Sequence, residues 1–151
     1  MLKKIGLGIL IVIVLLQFIP TKKNQTSIVS SNSIEQKYNT PENVQAILKK
    51  ACFDCHSNNT VYPWYSHIQP IGFWLNNHIN EGKEELNFSE FNSYENKKAR
   101  KKMEKVISSQ EKGWMPLSSY TLIHKDATLT STEKTIIIDW AKSVQQLLIK
   151  E

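Results

Sequence analysis

The sequence predicts an all-α fold. Four segments after residue 40 place apolar residues three and four positions apart, which is the spacing of one helix face. No segment alternates apolar and polar residues for long, as a half-buried strand does. The chain has 151 residues, of which 22% are charged and 40% apolar. This composition is typical of a globular domain, and the length allows one such domain behind a short amino-terminal segment.

The amino-terminal segment is an apolar run over residues 5–19, which only Gln17 interrupts and Pro20 ends. At ~1.5 Å per residue the run is about 22 Å long, somewhat short of a ~30 Å hydrocarbon core. No small-residue cleavage site follows closely, as it would after a secretory signal peptide. We therefore predict that residues 1–20 form an uncleaved signal anchor. A cleaved signal peptide and a buried core helix are the alternatives.

Residues 21–40 are polar and rich in Ser, Asn, Gln and Thr. This composition predicts a flexible linker that holds the domain, residues 41–151, off the membrane surface. The net charge of +5 is concentrated before the domain, which itself carries 14 basic and 13 acidic residues. Because the domain is nearly neutral, the basic balance of the chain does not indicate a nucleic-acid partner.

The first helix of the domain is predicted to begin at Thr40, Pro41 and Glu42, as N-cap, first-turn proline and acidic first turn. Its apolar face would consist of four residues at helical spacing: Val44, Ile47, Leu48 and Ala51. The helix leads directly into residues 52–56, which read CFDCH.

The CFDCH segment contains the only two cysteines of the chain, Cys52 and Cys55, followed directly by His56. This C-x-x-C-H spacing is the attachment signature of c-type haem. Residues three apart share a helix face, so both thiols can bond to one edge of a porphyrin while His56 reaches the iron. The motif therefore predicts one covalently bound haem c, with His56 as the proximal ligand.

Two other interpretations of the motif stay open. A redox dithiol usually lies beside a βαβ pattern, and the sequence has none. A structural zinc site needs four ligands, so further side chains would have to join the cysteines. The candidates are the remaining histidines: His67, His78 and His124.

The loop after the motif is aromatic and contains Tyr62, Trp64 and Tyr65. These rings are expected either to line the cofactor pocket or to pack in the core, since aromatic burial serves both uses.

A second helix is predicted to start near Pro70 and to close at Gly82, a typical residue just after a helix end. Five residues share its apolar face: Ile71, Trp74, Leu75, His78 and Ile79. On that face His78 is expected to be a hydrogen-bonded core histidine rather than a ligand.

A third helix is predicted over residues 93–110. Its inward face would carry Ala99, Met103, Val106 and Ile107. Its other face is basic and carries Lys97, Lys98, Arg100, Lys101, Lys102 and Lys105. Such a face is either simply solvated or an electrostatic docking site for an acidic redox partner.

The loop after the third helix contains Met115, which we predict to be the sixth ligand of the iron. Gly113 gives the backbone freedom, and Pro116 prevents Met115 from continuing a helix. A neutral thioether raises the reduction potential relative to a second imidazole. Met115 could instead only fill a gap in the core. The rival ligands are histidines: His124, His67 and, behind them, His78.

The last helix has the clearest pattern in the chain. Thr130 and Glu133 form a capping box at its start. Seven residues then form one broad apolar stripe: Ile136, Ile137, Trp140, Ala141, Val144, Leu147 and Leu148.

A helix leading into CxxCH, a Met-Pro loop late in the chain and a final amphipathic helix resemble the cytochrome c fold. More closely, the chain resembles the haem-binding domain family of small, membrane-anchored bacterial cytochromes c. The resemblance covers about residues 40–142. It is carried by CFDCHSNNTVYPWY (52–65), HIQP (67–70), HINEGKEELNFSEF (78–91), WMPLSSYTLIH (114–124) and WAK (140–142).

This resemblance implies one covalent haem c with Cys52, Cys55 and His56 as its residues. It also implies a location outside the inner membrane, so we expect a single-pass inner-membrane protein with its haem domain in the periplasm. The expected function is electron transfer by a mono-haem cytochrome rather than catalysis.

Two other functions remain possible for such a domain. A haem-based sensor or ligand-binding module would leave the sixth position open or weakly held. A peroxidase-type enzyme would also need a distal acid–base residue, for which His67 or His124 would have to serve.

Overall fold

The computed structural model describes residues 1–150, and none of these residues forms a strand. The prediction of an all-α fold is therefore confirmed. Within this part of the chain, eight α-helices, α1 to α8, span Leu2–Leu16, Ile34–Lys37, Glu42–Ala51, Phe53–His56, Ile71–Glu85, Asn96–Lys112, Ser118–Thr121 and Ser131–Lys150. Short 3₁₀ helices span Trp64–His67, Phe88–Ser93 and Lys125–Ala127.

The core of the domain lies between α3, α6 and α8, and α6 packs most extensively against α8. Several inward positions predicted from helical spacing are buried, with Met103 of α6 and Val144 of α8 at most 1% exposed, whereas Leu147 of the predicted stripe is 46% exposed. Fully burying a side chain of this size stabilises the fold by about 1.5–3 kcal/mol. The α6–α8 pair is therefore the most extensively packed part of the core.

The ends of two helices test the capping predictions. The backbone N–H of Thr130 donates to Glu133 Oε2 at 2.9 Å, and the backbone N–H of Glu133 donates to Thr130 Oγ1 at 3.2 Å. The capping box of the last helix is therefore confirmed. At α3, by contrast, Pro41 is the N-cap residue, and the Thr40 hydroxyl donates to the Tyr38 carbonyl instead of capping the helix.

The two glycines near predicted helix ends have different roles. Gly113 ends α6 in the left-handed conformation, with a φ of 69°, which favours glycine. Gly82 was expected to close the second helix, but α5 continues past it to Glu85. A Cβ on Gly82 would lie 2.6 Å from the carbonyl oxygen of Cys55. The glycine is therefore needed where α5 approaches the CxxCH segment, not at a helix end.

Two parts of residues 21–40, the segment predicted to be a flexible linker, pack on the domain. Ile34 of α2 is completely buried, and the ring of Tyr38 lies edge-on to Phe91 at 5.8 Å. The backbone N–H of Asn24 donates to the Tyr62 hydroxyl at 2.7 Å, and its side-chain amide donates to Thr60 Oγ1 at 2.9 Å. The polar composition was misleading because these amides hydrogen-bond to the loop after the motif rather than to water.

Helix α1 stands apart from this packing, since none of its residues is buried. The Gln17 side chain, just beyond its end, accepts from the Gln69 backbone N–H at 2.9 Å and donates to the Gln69 carbonyl at 3.1 Å. Among residues 1–150, no helix has the length and apolar character that crossing a membrane requires.

Candidate functional site

The CxxCH segment forms its own short helix at a break in the chain. Helix α3 ends at Ala51, Cys52 leaves the helical region with a φ of −127°, and α4 covers Phe53–His56. Helix α4 is held between α3 and α5, with Gly82 allowing the close contact described above. Cys52 and Cys55 are half-buried and unpaired as thiols. All three motif residues line cavities of the domain.

A cavity of about 500 Å³ opens beside this segment. This volume lies within the range of ligand pockets, which are about 300–1,000 Å³. Apolar side chains form much of its wall, as expected for a site that accepts a flat apolar ring: Leu48, Ala51, Leu86, Phe88, Val106, Trp114, Pro116 and Ile137. Cys52, His56 and Met115 also line it. The cavity therefore unites the motif with the predicted methionine ligand.

A second cavity of about 340 Å³ is lined by several of the same residues. The two cavities have six lining residues in common: Ala51, Cys52, His56, Glu85, Met115 and Pro116. Cys55 lines only the second cavity, together with His78 and Tyr120. His56, Met115 and Cys52 therefore line both cavities, and Cys55 lines the smaller one.

His56 has the hydrogen bond of a metal-ligating histidine. Its Nδ1 lies 2.9 Å from the Leu86 carbonyl oxygen, and a carbonyl can only accept, so Nδ1 carries the proton. The lone pair is then on Nε2, which is the nitrogen that can bind a metal. Burial lowers the pKa of His56, which favours the neutral imidazole that metal ligation needs. Sequence reasoning missed this partner because Leu86 lies 30 residues away.

The two thiols are held in their neutral form. Burial, followed by the neighbouring Cys55, raises the pKa of Cys52 to about 12, and burial, followed by Asp54, raises the pKa of Cys55 to about 11. A reactive dithiol requires a lowered thiol pKa. Nor do residues 1–150 contain a cluster of three or more His, Cys, Asp or Glu side chains arranged to hold a metal ion. The dithiol and zinc interpretations therefore receive no support from the geometry.

Asp54, between the two cysteines, is fixed by a network that the sequence did not predict. The Tyr120 hydroxyl donates to Asp54 Oδ2 at 2.7 Å, and the Val61 backbone N–H donates to Asp54 Oδ1 at 2.9 Å. The Tyr120 ring stacks on His124, with centroids 4.3 Å apart. Burial and the hydrogen bond to Asp54 raise the pKa of Tyr120. These contacts connect α4 to α7 and hold the cysteine pair in place.

The three aromatic residues predicted near the cofactor lie elsewhere, because none of them lines either cavity. The Tyr62 hydroxyl accepts from Asn24, and the Tyr65 hydroxyl lies 2.7 Å from His124 Nε2. Trp64 is 77% exposed. The aromatic wall of the site consists instead of Phe88 and Trp114 in the larger cavity and Tyr120 in the smaller one.

The structure also separates the candidate sixth ligands. Met115 is half-buried and lines both cavities. His67 and His124, the leading rivals in the sequence analysis, line neither cavity, and His124 Nε2 already pairs with Tyr65. His78 lines the smaller cavity, where it lies 3.2 Å from Glu81 and packs on Trp74. Of these three histidines, only His78 therefore lines one of the two cavities.

A comparison with protein families agrees with this geometry. The family model described as haem-binding domain matches residues 11–143. The chain belongs to this haem-binding domain family. No curated protein and no solved structure matches the chain. The family match begins before residue 21, so it includes the segment that packs on the domain.

The residues of this haem-binding domain fit a haem at the two cavities. An apolar wall suits the ring, the Nε2 lone pair of His56 suits iron, and two neutral thiols line the cavities. Gln110 also lines the larger cavity and is only 6% exposed, and its Oε1 has no hydrogen-bond partner. A haem offers no donor to this oxygen, so the fit rests on the apolar wall, His56 and the thiols.

Proposed function

We propose that this haem-binding domain carries one covalent haem c and acts as an electron carrier. The observation that supports the proposal best is the position of His56 and Met115 at the same pair of cavities. Iron held by both side chains has no open position for a substrate. A bound haem would supply reversible one-electron iron chemistry, and His56 and Met115 would provide the imidazole and the thioether that hold its iron.

Covalent attachment is supported by the placement of the thiols. Cys52 lines both cavities and Cys55 lines the smaller one, so both face the region beside His56. Each thioether would form when the thiol S–H adds across a vinyl double bond, with the sulfur on one carbon and the hydrogen on the other. No leaving group or oxidant is required, which suits two thiols that are neutral and half-buried.

A haem-based sensor is the second candidate. It is favoured by the cavity of about 340 Å³ that borders Met115 and contains His78 beside Glu81. If Met115 left the iron, this space could admit a small ligand next to a hydrogen-bonding histidine. A peroxidase-type enzyme would use the same opening. Its distal acid–base residue would then be His78 rather than His67 or His124.

Carbon monoxide distinguishes the carrier from these alternatives. The ferrous wild-type protein is expected to show no rapid change in its visible spectrum on addition of carbon monoxide, because Met115 occupies the sixth position. A redox titration should also be reversible and should transfer one electron. The ferric and ferrous spectra should be the same after each cycle. Rapid formation of a carbon monoxide complex by the wild type would contradict the carrier and favour the sensor or the peroxidase.

We further propose that α1 attaches the protein to the inner membrane, with the haem domain in the periplasm. All apolar side chains of α1 between Ile5 and Leu15 are exposed in the chain itself. The Gln17–Gln69 hydrogen bonds hold the end of α1 beside a segment with further exposed apolar residues: Ile68, Ile71 and Trp74. Apolar and tryptophan side chains of this kind are favoured at a membrane–water interface.

Protease accessibility tests this topology. Protease added to spheroplasts is expected to digest the domain, because this topology places the domain outside the inner membrane. Deleting residues 2–16 is expected to leave the protein in the cytoplasm without covalent haem. Because no residue of α1 is buried, the deletion should leave the fold intact. A domain that is fully protected in spheroplasts, with an accessible amino terminus, would contradict the proposed topology.

An acidic redox partner is proposed for the basic face of α6. Lys97, Lys98, Arg100 and Lys101 are all exposed there, and Lys102 and Lys105 extend the same charge to the edge of the larger cavity. A partner that docked on this face would approach the haem cavity directly. Complementary charge would then guide the encounter and increase its rate.

A further inference from the structure

The two cavities differ in charge. The larger one is lined by Lys102 and Lys105, with Glu85 as its acidic residue. The smaller one contains no lysine or arginine and is lined by Asp54, Glu81 and Glu85. An anionic group is therefore favoured in the larger cavity and repelled from the smaller one.

The position of the cysteines independently indicates that the carboxylate edge of a haem would face the larger cavity. Cys55 lines only the smaller cavity, whereas Cys52 lines both. A porphyrin joined to these thiols would have its vinyl-derived edge toward the smaller cavity. The two propionate groups of haem lie at the opposite edge of the ring, which would then face the larger cavity and its lysines.

The two ammonium groups are positioned to accept an anion. Lys102 Nζ donates to the Glu85 carbonyl oxygen, which holds it at the carboxyl end of α5. Lys105 Nζ lies 2.7 Å from Glu85 Oε2. An ammonium group has three donors, so both lysines keep donors beyond these contacts. Partial burial lowers the pKa of Lys102, so a nearby anion would compensate for lost solvation.

We propose that Lys102 and Lys105 bind the haem propionates and thereby fix which way the ring enters the site. The proposal rests on the proposed haem function and adds the residues that recognise the carboxylate edge. Each charged hydrogen bond is expected to strengthen haem binding about 10-fold. The lysines also make the anionic form of the propionates the favoured one.

Haem binding without the thioethers provides the test. In the full-length chain with Cys52→Ala and Cys55→Ala, the affinity for ferric haem is compared with that for its dimethyl ester, which lacks the carboxylates. The parent is expected to prefer ferric haem over the ester. Lys102→Gln with Lys105→Gln should reduce that preference about 100-fold by weakening only the binding of ferric haem.

The matched control replaces Lys97 and Lys101 by glutamine. Both are exposed on the same helix and line neither cavity, so the same loss of charge should leave the preference unchanged. Lys105→Gln alone provides a variant that should fold, since the Lys105 side chain is 62% exposed.

Two results would overturn the proposal. The first is that the parent and the Lys102/Lys105 variant prefer ferric haem over the ester to the same extent. The second is that the Lys97/Lys101 control loses this preference as much as the Lys102/Lys105 variant does, which would indicate only a long-range effect of charge. If the parent bound neither compound, the haem site itself would be wrong, and the propionate site with it.

Discussion

Replacing both Cys52 and Cys55 by alanine is expected to abolish covalently bound haem. Both thiols face the region shared by His56 and Met115, and no other cysteine exists in the chain. The stain for haem on a denaturing gel should disappear, because noncovalent haem dissociates when the protein unfolds. Under native conditions His56 and the apolar cavity should still bind haem, with a spectrum shifted toward that of haem b.

The single variants are the controls for this experiment. Cys52→Ala and Cys55→Ala each leave one thiol, so each should retain haem through a single thioether. Their pyridine haemochrome spectra should lie between those of haem c and haem b. A haem stain that persisted unchanged in the double variant would contradict covalent attachment through this motif.

The sequence predicted the parts of the fold that depend on near neighbours. Helical spacing identified Met103 and Val144 as core residues, and the capping box identified the start of α8. In each case the deciding interactions join residues that are close in sequence or lie on one helix face. Such interactions can be predicted without knowing how the chain folds back on itself.

Interactions between distant segments account for the parts that were missed. Gly82 suggested a helix end, but its role depends on the approach of Cys55, 27 positions earlier. The polar residues 21–40 suggested a linker, since nothing local showed that Asn24 would hydrogen-bond to Tyr62. A polar composition shows that a segment can be solvated. It does not show whether a distant part of the chain will provide hydrogen-bond partners instead of water.

In the candidate site, too, the local features were predicted and the long-range contacts were missed. The CxxCH motif is local, and it identified Cys52, Cys55 and His56 as candidates. The Leu86 carbonyl that orients His56 and the Tyr120 hydroxyl that holds Asp54 are 30 and 66 positions away from their partners. The aromatic residues were assigned by closeness in sequence to the motif, whereas the rings that line the cavities, Phe88, Trp114 and Tyr120, come from later segments.

The identity of the sixth ligand has the largest consequence for the chemistry of the iron. Met115 lines both cavities, and the left-handed Gly113 ends α6 just before it. The loop therefore turns back over the CxxCH segment instead of extending α6. Among the histidines other than His56, only His78 lines either cavity, and it already interacts with Glu81. These positions favour methionine over a second imidazole.

Met115→Ala is therefore expected to change the iron from six-coordinate to five-coordinate, with an open sixth position. The ferric wild type should show the weak long-wavelength band of methionine–iron bonding, and the variant should lose it and bind carbon monoxide when reduced. Its reduction potential should fall by about 0.1–0.3 V, part of the ~0.8 V range that axial ligands span.

Two further variants decide whether this effect is specific to ligation. Met103→Ala removes a completely buried methionine that lines neither cavity. It should destabilise the fold by about 2–5 kcal/mol and leave the methionine band intact. His78→Ala should also retain the band, because its imidazole would not be bound to iron. If Met115→Ala kept a low-spin spectrum that resisted carbon monoxide while His78→Ala lost it, the iron would be held by two histidines. The cavity beside His78 would then be part of the coordination sphere, and Met115 would be only a packing residue above it.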